Sequence, residues 1–324
     1  MIKTIKFLIE KENHGERIDV YLPKRLNKLT RSYIKKLIKS NNLKINNKII
    51  TLPSTEIRHK DSVEIKIVNK EISKIIPKYI KLDIIYEDND ILVINKPKGL
   101  VVHPGAGNHE DTLANALYFK YKDNLSDING QLRPGIVHRI DKETSGLLVV
   151  AKNNFSHSSL SKQFSEHSIK RKYKCLIWGV IRPLNGQIHT LIKRNKKNRQ
   201  LMSVSEIDGK KAITNYKTLK VFNIKNIPKI SLLECELETG RTHQIRVHVN
   251  YKKTSIIGDK KYGKKNLKFK KINEEFLKQL NNINGQILHA ETLEFTHPSS
   301  KKRLNFKSNL PYDFKNMLNL LNKL

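Results

Sequence analysis

The sequence predicts an α+β fold: a main domain built on a mainly antiparallel, mixed sheet, preceded by a small α+β unit. Three observations carry this. From Lys81 onward, short apolar runs recur between turn residues, with only a few helical patterns among them. Before residue 70, apolar residues fall at helical spacing within a dense background of Lys and Arg. Between the two, residues 70–80 (K-E-I-S-K-I-I-P-K-Y-I) carry no period, and Pro77 opposes a continuous helix. The expected organisation is therefore a basic unit over 1–72, a linker over 73–80 and the main domain over 81–324.

Residues 1–12 read as an edge strand or a tail. Ile18, Tyr21, Leu22, Leu26 and Leu29 share one face of a helix, and Thr30 is placed to cap a second helix carrying Tyr33, Ile34, Leu37 and Ile38. Lys24, Arg25, Lys28, Arg31, Lys35, Lys36 and Lys39 fall between the apolar positions and make the other face positive. Strands are expected at Leu43–Ile45 and Val63–Val68. In the main domain they are expected at Asp83–Glu87, Ile91–Asn95, Leu100–Val102, Leu147–Ala151, Tyr173–Val180, Ile188–Ile192, Ala212–Val221, Ser231–Leu237 and Gln286–Phe295. Helices are expected at Asp111–Lys120, Ser156–Ser165, Thr242–Asn250 and Asp313–Leu321.

Composition narrows the class. At 38% hydrophobic residues, 324 residues can bury a sizeable core. The apolar run Leu147–Ala151 is far too short to cross a bilayer, and the N-terminus breaks its apolar residues with charges, unlike a signal peptide. Cys175 and Cys235 lie in apolar strand-like segments and read as buried reduced thiols, which fits the cytoplasm. A formal charge of +33 calls for a polyanionic partner, nucleic acid before an anionic membrane, since no long basic amphipathic helix is present. A Lys-, Asn- and Ile-rich background of the AT-biased kind accounts for part of that charge.

The chain is organised around Gly135–Asn153, G-I-V-H-R-I-D-K-E-T-S-G-L-L-V-V-A-K-N. Arg139 and Asp141 sit two apart in a polar turn, with a buried strand behind them to fix their positions. Asp is equally at home in ordinary turns, so the local pattern alone leaves Asp141 structural or functional.

The stretch H-R-I-D-K-E-T-S-G-L-L-V-V-A-K closely resembles the signature of the RluA-type pseudouridine synthases. Asn95–Pro104 (N-K-P-K-G-L-V-V-H-P), Lys170–Lys174 (K-R-K-Y-K) and Glu238–His248 (E-T-G-R-T-H-Q-I-R-V-H) resemble further blocks of that family, in the same order. The early pattern G-E-R-I-D-x-Y-L…T-R-S-Y-I-K-K-L-I resembles an S4-type RNA-binding domain, which makes Arg25, Arg31 and Lys35 candidate RNA contacts. Within the family, H-P-G-A-G-N and R-P-G-I-V-H-R-I-D look most like the RluD-type branch, which acts on the helix 69 stem-loop of large-subunit ribosomal RNA. A sister branch acting on other large-subunit sites is the nearest rival. The implied partner is that RNA or a pre-50S particle, with the protein a monomer.

The isomerisation that the resemblance implies breaks the N1–C1′ bond of uridine and rejoins the base through C5, so it needs no cofactor. A carboxylate suits it as nucleophile or charge stabiliser, as in glycoside hydrolysis. By resemblance Asp141 is that carboxylate; attack at C1′, attack at C6 and deprotonation at C2′ all remain open. A uridine within a stem or loop must first leave its stack. The resemblance gives Arg139 the task of filling that gap, and a planar guanidinium that stacks and hydrogen-bonds suits it. It also makes Arg241 the cation paired with Asp141, and Tyr173 the residue that packs on the target base and handles the proton at C5.

Other chemistries find less support. His103, His109, His243 and His248 match no common zinc spacing, and no cysteine pair accompanies them. Ser145 and Ser159 lie in no G-x-S-x-G elbow. Gly105-Ala106-Gly107 lacks the Lys-Ser/Thr of a phosphate loop. The basic runs Lys193–Arg199 and Lys260–Lys271 read as backbone-binding patches or as solvated lysines. A non-catalytic ribosome-binding protein would use the basic unit equally well, but would not need a carboxylate at 141. An RNA glycosylase would use that carboxylate and release free uracil.

Overall fold

The computed structural model describes every residue except 1, 27, 28, 30, 69–74, 106, 107, 123 and 264–272. The chain divides into two compact units, Met1–Lys74 and Ile75–Leu324.

In the first unit, β1 (Ile2–Leu8) pairs antiparallel with β4 (Ser62–Val68), and β2 (Leu43–Ile45) joins β4 to β3 (Lys48–Ile49). α1 (Ile18–Arg25) and α2 (Arg31–Lys39) bury Ile18, Tyr21, Leu22, Ile34, Leu37 and Ile38 against Leu43, Val63 and Ile65 of the sheet. The N-terminal stretch is thus a strand, and the helical spacing read from the sequence is the buried face. Thr30, the expected cap, lies outside the described residues.

The second unit holds β5 (Ile84–Glu87), β6 (Ile91–Lys96), α3 (Leu113–Tyr121), β7 (Ser145–Ala151), α4 (Asn154–Ser165), β8 (Lys170–Trp178), β9 (Asn185–Arg194), β10 (Met202–Ser205), β11 (Lys210–Phe222) and β12 (Ile230–Leu237). After these come α5 (Gln244–Tyr251), β13 (Ser255–Ile256), α6 (Glu274–Asn281), β14 (Leu288–Thr296), β15 (Arg303–Lys307) and α7 (Tyr312–Lys323). The sheet runs β10-β9-β11-β12-β8-β14-β7-β6-β5, with β13 on β8 and β15 on β14. Its described pairings are antiparallel except β14 with β7. Gly146 makes that approach possible: at φ +112° it faces Ala290, and a Cβ there would lie 2.2 Å from the Ala290 carbonyl oxygen.

β7 is buried along its whole length because both faces are covered. Leu148 and Val150 pack with Leu113 and Leu117 of α3, while Leu147, Val149 and Ala151 pack with Leu160 of α4. A central strand clamped from both sides holds fixed whatever precedes it, and what precedes it is the turn carrying Asp141.

Residues 73 and 74 lie outside the described residues, but Ile75 is buried in the second unit's core, the Asn115 side chain donates to the Ile76 carbonyl at 2.7 Å, and Lys78 N–H donates to the Asn115 carbonyl at 3.3 Å. Leu100–Val102, expected as a strand, forms only an isolated bridge between Val101 and Thr112. Among the described residues no helix is long and apolar enough to cross a membrane.

Candidate active site

The turn before β7 is pinned from three sides. Thr144 N–H donates to the Asp141 carbonyl at 3.1 Å, and the Thr144 hydroxyl accepts from Gln286 at 3.1 Å. The Lys142 carbonyl accepts from Gly99 N–H at 2.9 Å and from the Lys96 amine at 3.1 Å. Lys96 has no exposed surface and donates its other protons to the carbonyls of Pro97 and Leu100 at 2.7 and 2.9 Å. Burial draws its ammonium down to about 7, opposed by the nearby Glu143 and Asp141 carboxylates. One buried side chain therefore ties the N-K-P-K-G-L loop to the Asp141 turn.

Asp141 opens into a cleft of about 570 Å³ that is also lined by Arg139, Arg171, Tyr173, Gly240, Arg241, His243 and Arg246. Its side chain is 17% exposed, and one carboxylate oxygen accepts from Arg246 Nη1 at 2.9 Å. Arg246 lies on α5, whose residues from Gln244 to Val249 are all buried. Its other nitrogens grip Asp259, at 2.7 Å through Nε and 2.8 Å through Nη2. Burial lowers the pKa of this guanidinium, but its bonds to Asp259 and the nearby Asp141 outweigh that and raise it. Burial likewise works against the Asp259 carboxylate, and Arg246 more than offsets it, leaving the pKa below the usual range.

His243, in a left-handed backbone conformation (φ 57°), completes the floor. The Tyr262 hydroxyl accepts from Met202 N–H at 2.8 Å and faces His243 Nδ1 at 2.8 Å. His243 Nε2, on the other side of the ring, lies 4.0 Å from Asp141 Oδ1. Tyr173 reaches the cleft from β8 and is almost wholly buried, which raises its phenol pKa and keeps it protonated at neutral pH. At the rim, exposed Arg139 donates through Nη1 to His103 Nε2 at 2.9 Å.

Residues 90–251 match the family model for RNA pseudouridylate synthase, and residues 16–63 match the S4 domain. An uncharacterised RNA pseudouridine synthase of Bacillus subtilis is 40% identical over 99% of both chains. The chain belongs to the RNA pseudouridylate synthase family. A protein of Zymomonas mobilis named ribosomal large subunit pseudouridine synthase D is 40% identical over 98% of both chains. The solved structure of human RNA pseudouridylate synthase domain containing 4 superposes with TM-score 0.56 at 26% identity, covering 74% of this chain and 93% of that one. This pseudouridine synthase therefore carries an S4 unit ahead of its catalytic domain.

The cleft brings together Asp141, Tyr173, Arg139 and Arg241, the residues picked out from the sequence, but not in the expected pairing. Arg246, not Arg241, holds the Asp141 carboxylate. Arg241 Nε instead donates to the Lys211 carbonyl at 2.8 Å. The reason is the helix: α5 begins after Arg241, so only Arg246 projects from a rigid, buried element. A usable signal was present, since an Arg within the apolar run Ile245–Val249 must be buried and therefore needs an acid.

Of the S4-unit candidates, Arg31 and Lys35 both turn toward buried Asp19, at 3.0 and 3.4 Å, with Arg17 on its other oxygen at 3.1 Å. Burial raises the Asp19 pKa, and these three cations overcome that and leave it lowered. Arg31 and Lys35 stay about half exposed and so keep a solvent face. Arg25 is exposed and has no carboxylate partner among the described residues. Asp88, Asp90 and His297 gather ligand atoms within 4.8 Å. This group is a structural clasp: Asp88 accepts from Tyr86, Asp90 N–H, Ile91 N–H and His297 at 2.7 to 2.8 Å.

Proposed function

We propose that this synthase isomerises specific uridines of large-subunit ribosomal RNA in the cytoplasm, with the helix 69 stem-loop as its target. The observation that carries the reading is the Asp141 carboxylate, ion-paired with a rigid Arg246 in a cleft that also presents Tyr173 and an exposed Arg139. Two kinds of support bear on the target: the name of the 40% identical relative from Zymomonas and the H-P-G-A-G-N and R-P-G-I-V-H-R-I-D stretches.

In this reading a uridine leaves its stack and enters the cleft, while Arg139 takes its place or holds the displaced strand. Asp141 acts on the sugar or on the base ring. The N1–C1′ bond breaks, the base turns, C5 bonds to C1′, the C5 proton leaves and N1 gains one. Tyr173 packs against the base. Being protonated, it donates a hydrogen bond and can take up the C5 proton only if its own proton passes to another group. Arg25, with Arg31 and Lys35, contacts the RNA backbone from the S4 unit.

Mapping pseudouridines in large-subunit RNA after incubation with the purified enzyme tests the target. Modification confined to helix 69 supports it. Modification only at other large-subunit positions moves the enzyme to the sister branch.

A further inference from the structure

Arg171 is a buried cation with no carboxylate partner among the described residues. It is 8% exposed, its Nε is sealed from solvent, and no nitrogen of its guanidinium has a hydrogen-bond partner among the described residues. β8 shows how unusual this is. Lys172 and Lys174 point to the opposite face of the strand and are each met by an acid, Glu234 at 3.3 Å and Glu291 at 2.9 Å. Arg171 and Tyr173 share the other face, and both line the cleft that holds Asp141.

The surroundings hold this guanidinium in place without neutralising it. Its carbon lies 5.2 Å from the centre of the Phe164 ring, a cation–π contact that helps to hold the group in place. Against it lies Gly240, where a Cβ would come within 2.9 Å of Nη1. Arg139 and Arg241, on the same cleft, also have no carboxylate partner among the described residues, while Asp141 is already matched by Arg246. The cleft therefore carries a surplus of three guanidinium groups around one satisfied carboxylate. Leaving a buried cation unpaired costs several kcal/mol, so such a group is kept for an anion that arrives from outside.

We propose that Arg171 is the centre of a binding site for one phosphodiester group of the RNA, a phosphate flanking the uridine that enters the cleft, with Arg241 as its second donor. This rests on the RNA-modifying reading above and adds to it a contact that anchors the reacting nucleotide next to Asp141. An Arg presents two parallel N–H groups to two phosphate oxygens, which fixes orientation as well as charge.

The test measures binding of a helix 69 RNA stem-loop in which each loop phosphate in turn is replaced by a neutral methylphosphonate. Wild type, Arg171→Gln and Arg171→Lys are compared across a salt series. One methylphosphonate is expected to weaken wild-type binding about tenfold and to add nothing to the loss in Arg171→Gln, while the salt slope of that variant falls by about 1. Arg171→Lys should keep the slope. Arg171→Gln should melt no lower than wild type, since a buried unpaired charge has been removed. An unchanged salt slope in Arg171→Gln, or full additivity of its loss with every methylphosphonate, would overturn the site. So would a lowered melting temperature with binding otherwise intact, which would make Arg171 a packing residue. Because the readout is binding, coupling without isomerisation would fault the proposed target and leave the phosphate site standing.

Discussion

Replacing Arg246 with Gln removes the cation that Asp141 and Asp259 share. Asp259 is wholly buried and would be left uncompensated, at a cost of about 3–5 kcal/mol. That is a large share of the roughly 5–15 kcal/mol by which a domain is stable. Asp141, bonded to Arg246 at 2.9 Å, would also lose its ion pair to that arginine. A misplacement of about 1 Å at the reacting group can cost about 100-fold in rate, and a loss of that order in kcat is expected. Arg246→Lys keeps the charge, but a compact ammonium cannot grip Asp259 in two-pronged fashion while reaching Asp141, so it should recover little of either quantity. Asp259→Asn added to Arg246→Gln should restore stability by relieving the stranded carboxylate, yet leave activity low. Urea unfolding and release of tritium from uridine C5 measure the two effects. Wild-type stability and rate in Arg246→Lys would refute the reasoning.

Three further outcomes follow from the same structure. Gly146→Ala places a Cβ 2.2 Å from the Ala290 carbonyl oxygen at a strained φ, and should destabilise the fold by more than about 3 kcal/mol or prevent soluble expression. Lys96→Met strands the Pro97 and Leu100 carbonyls and removes one of the two donors to Lys142, and should cost about 2–4 kcal/mol by denaturant unfolding and lower kcat more than it raises KM. His248 and His289 are buried and drawn down to about 4, so the unfolded chain binds their protons more readily than the folded one. Stability is therefore full above about pH 6.5 and falls toward pH 4, by about 2 kcal/mol for each residue at pH 5. Unfolding midpoints across that range check it.

Much of the architecture was legible because period and burial coincide. Leu147–Ala151 reads as an interior strand and is one, since α3 and α4 cover its two faces. The helix over Thr242–Asn250 was also visible, but whether Arg241 or Arg246 faces Asp141 depends on where the helix begins, and a left-handed His243 sets that start without any local sequence signal. Leu100–Val102 looked like a strand from composition. Lys96 takes the Leu100 carbonyl as an acceptor, and a contact made by a side chain four residues away is not written in β-propensity. Of the two basic runs, Lys193–Arg199 closes partly on itself, with Lys193 paired to Asp208 and Arg194 donating to the Arg199 carbonyl at 2.7 Å. The second run, from residue 264 on, lies outside the described residues. The acid partners of Arg31 and Lys35 were missed because Asp19 lies 12 and 16 positions earlier, on another helix.

The most direct test of the central claim compares wild type with Asp141→Asn on large-subunit RNA labelled with tritium at uridine C5. The two side chains are nearly the same size, so the cleft should survive, and equal RNA affinity would show that it has. The account predicts tritium release and pseudouridine in the wild-type product, and neither above background in the variant. Release by Asp141→Asn at the wild-type rate would contradict it, and free uracil in place of pseudouridine would make the protein a glycosylase.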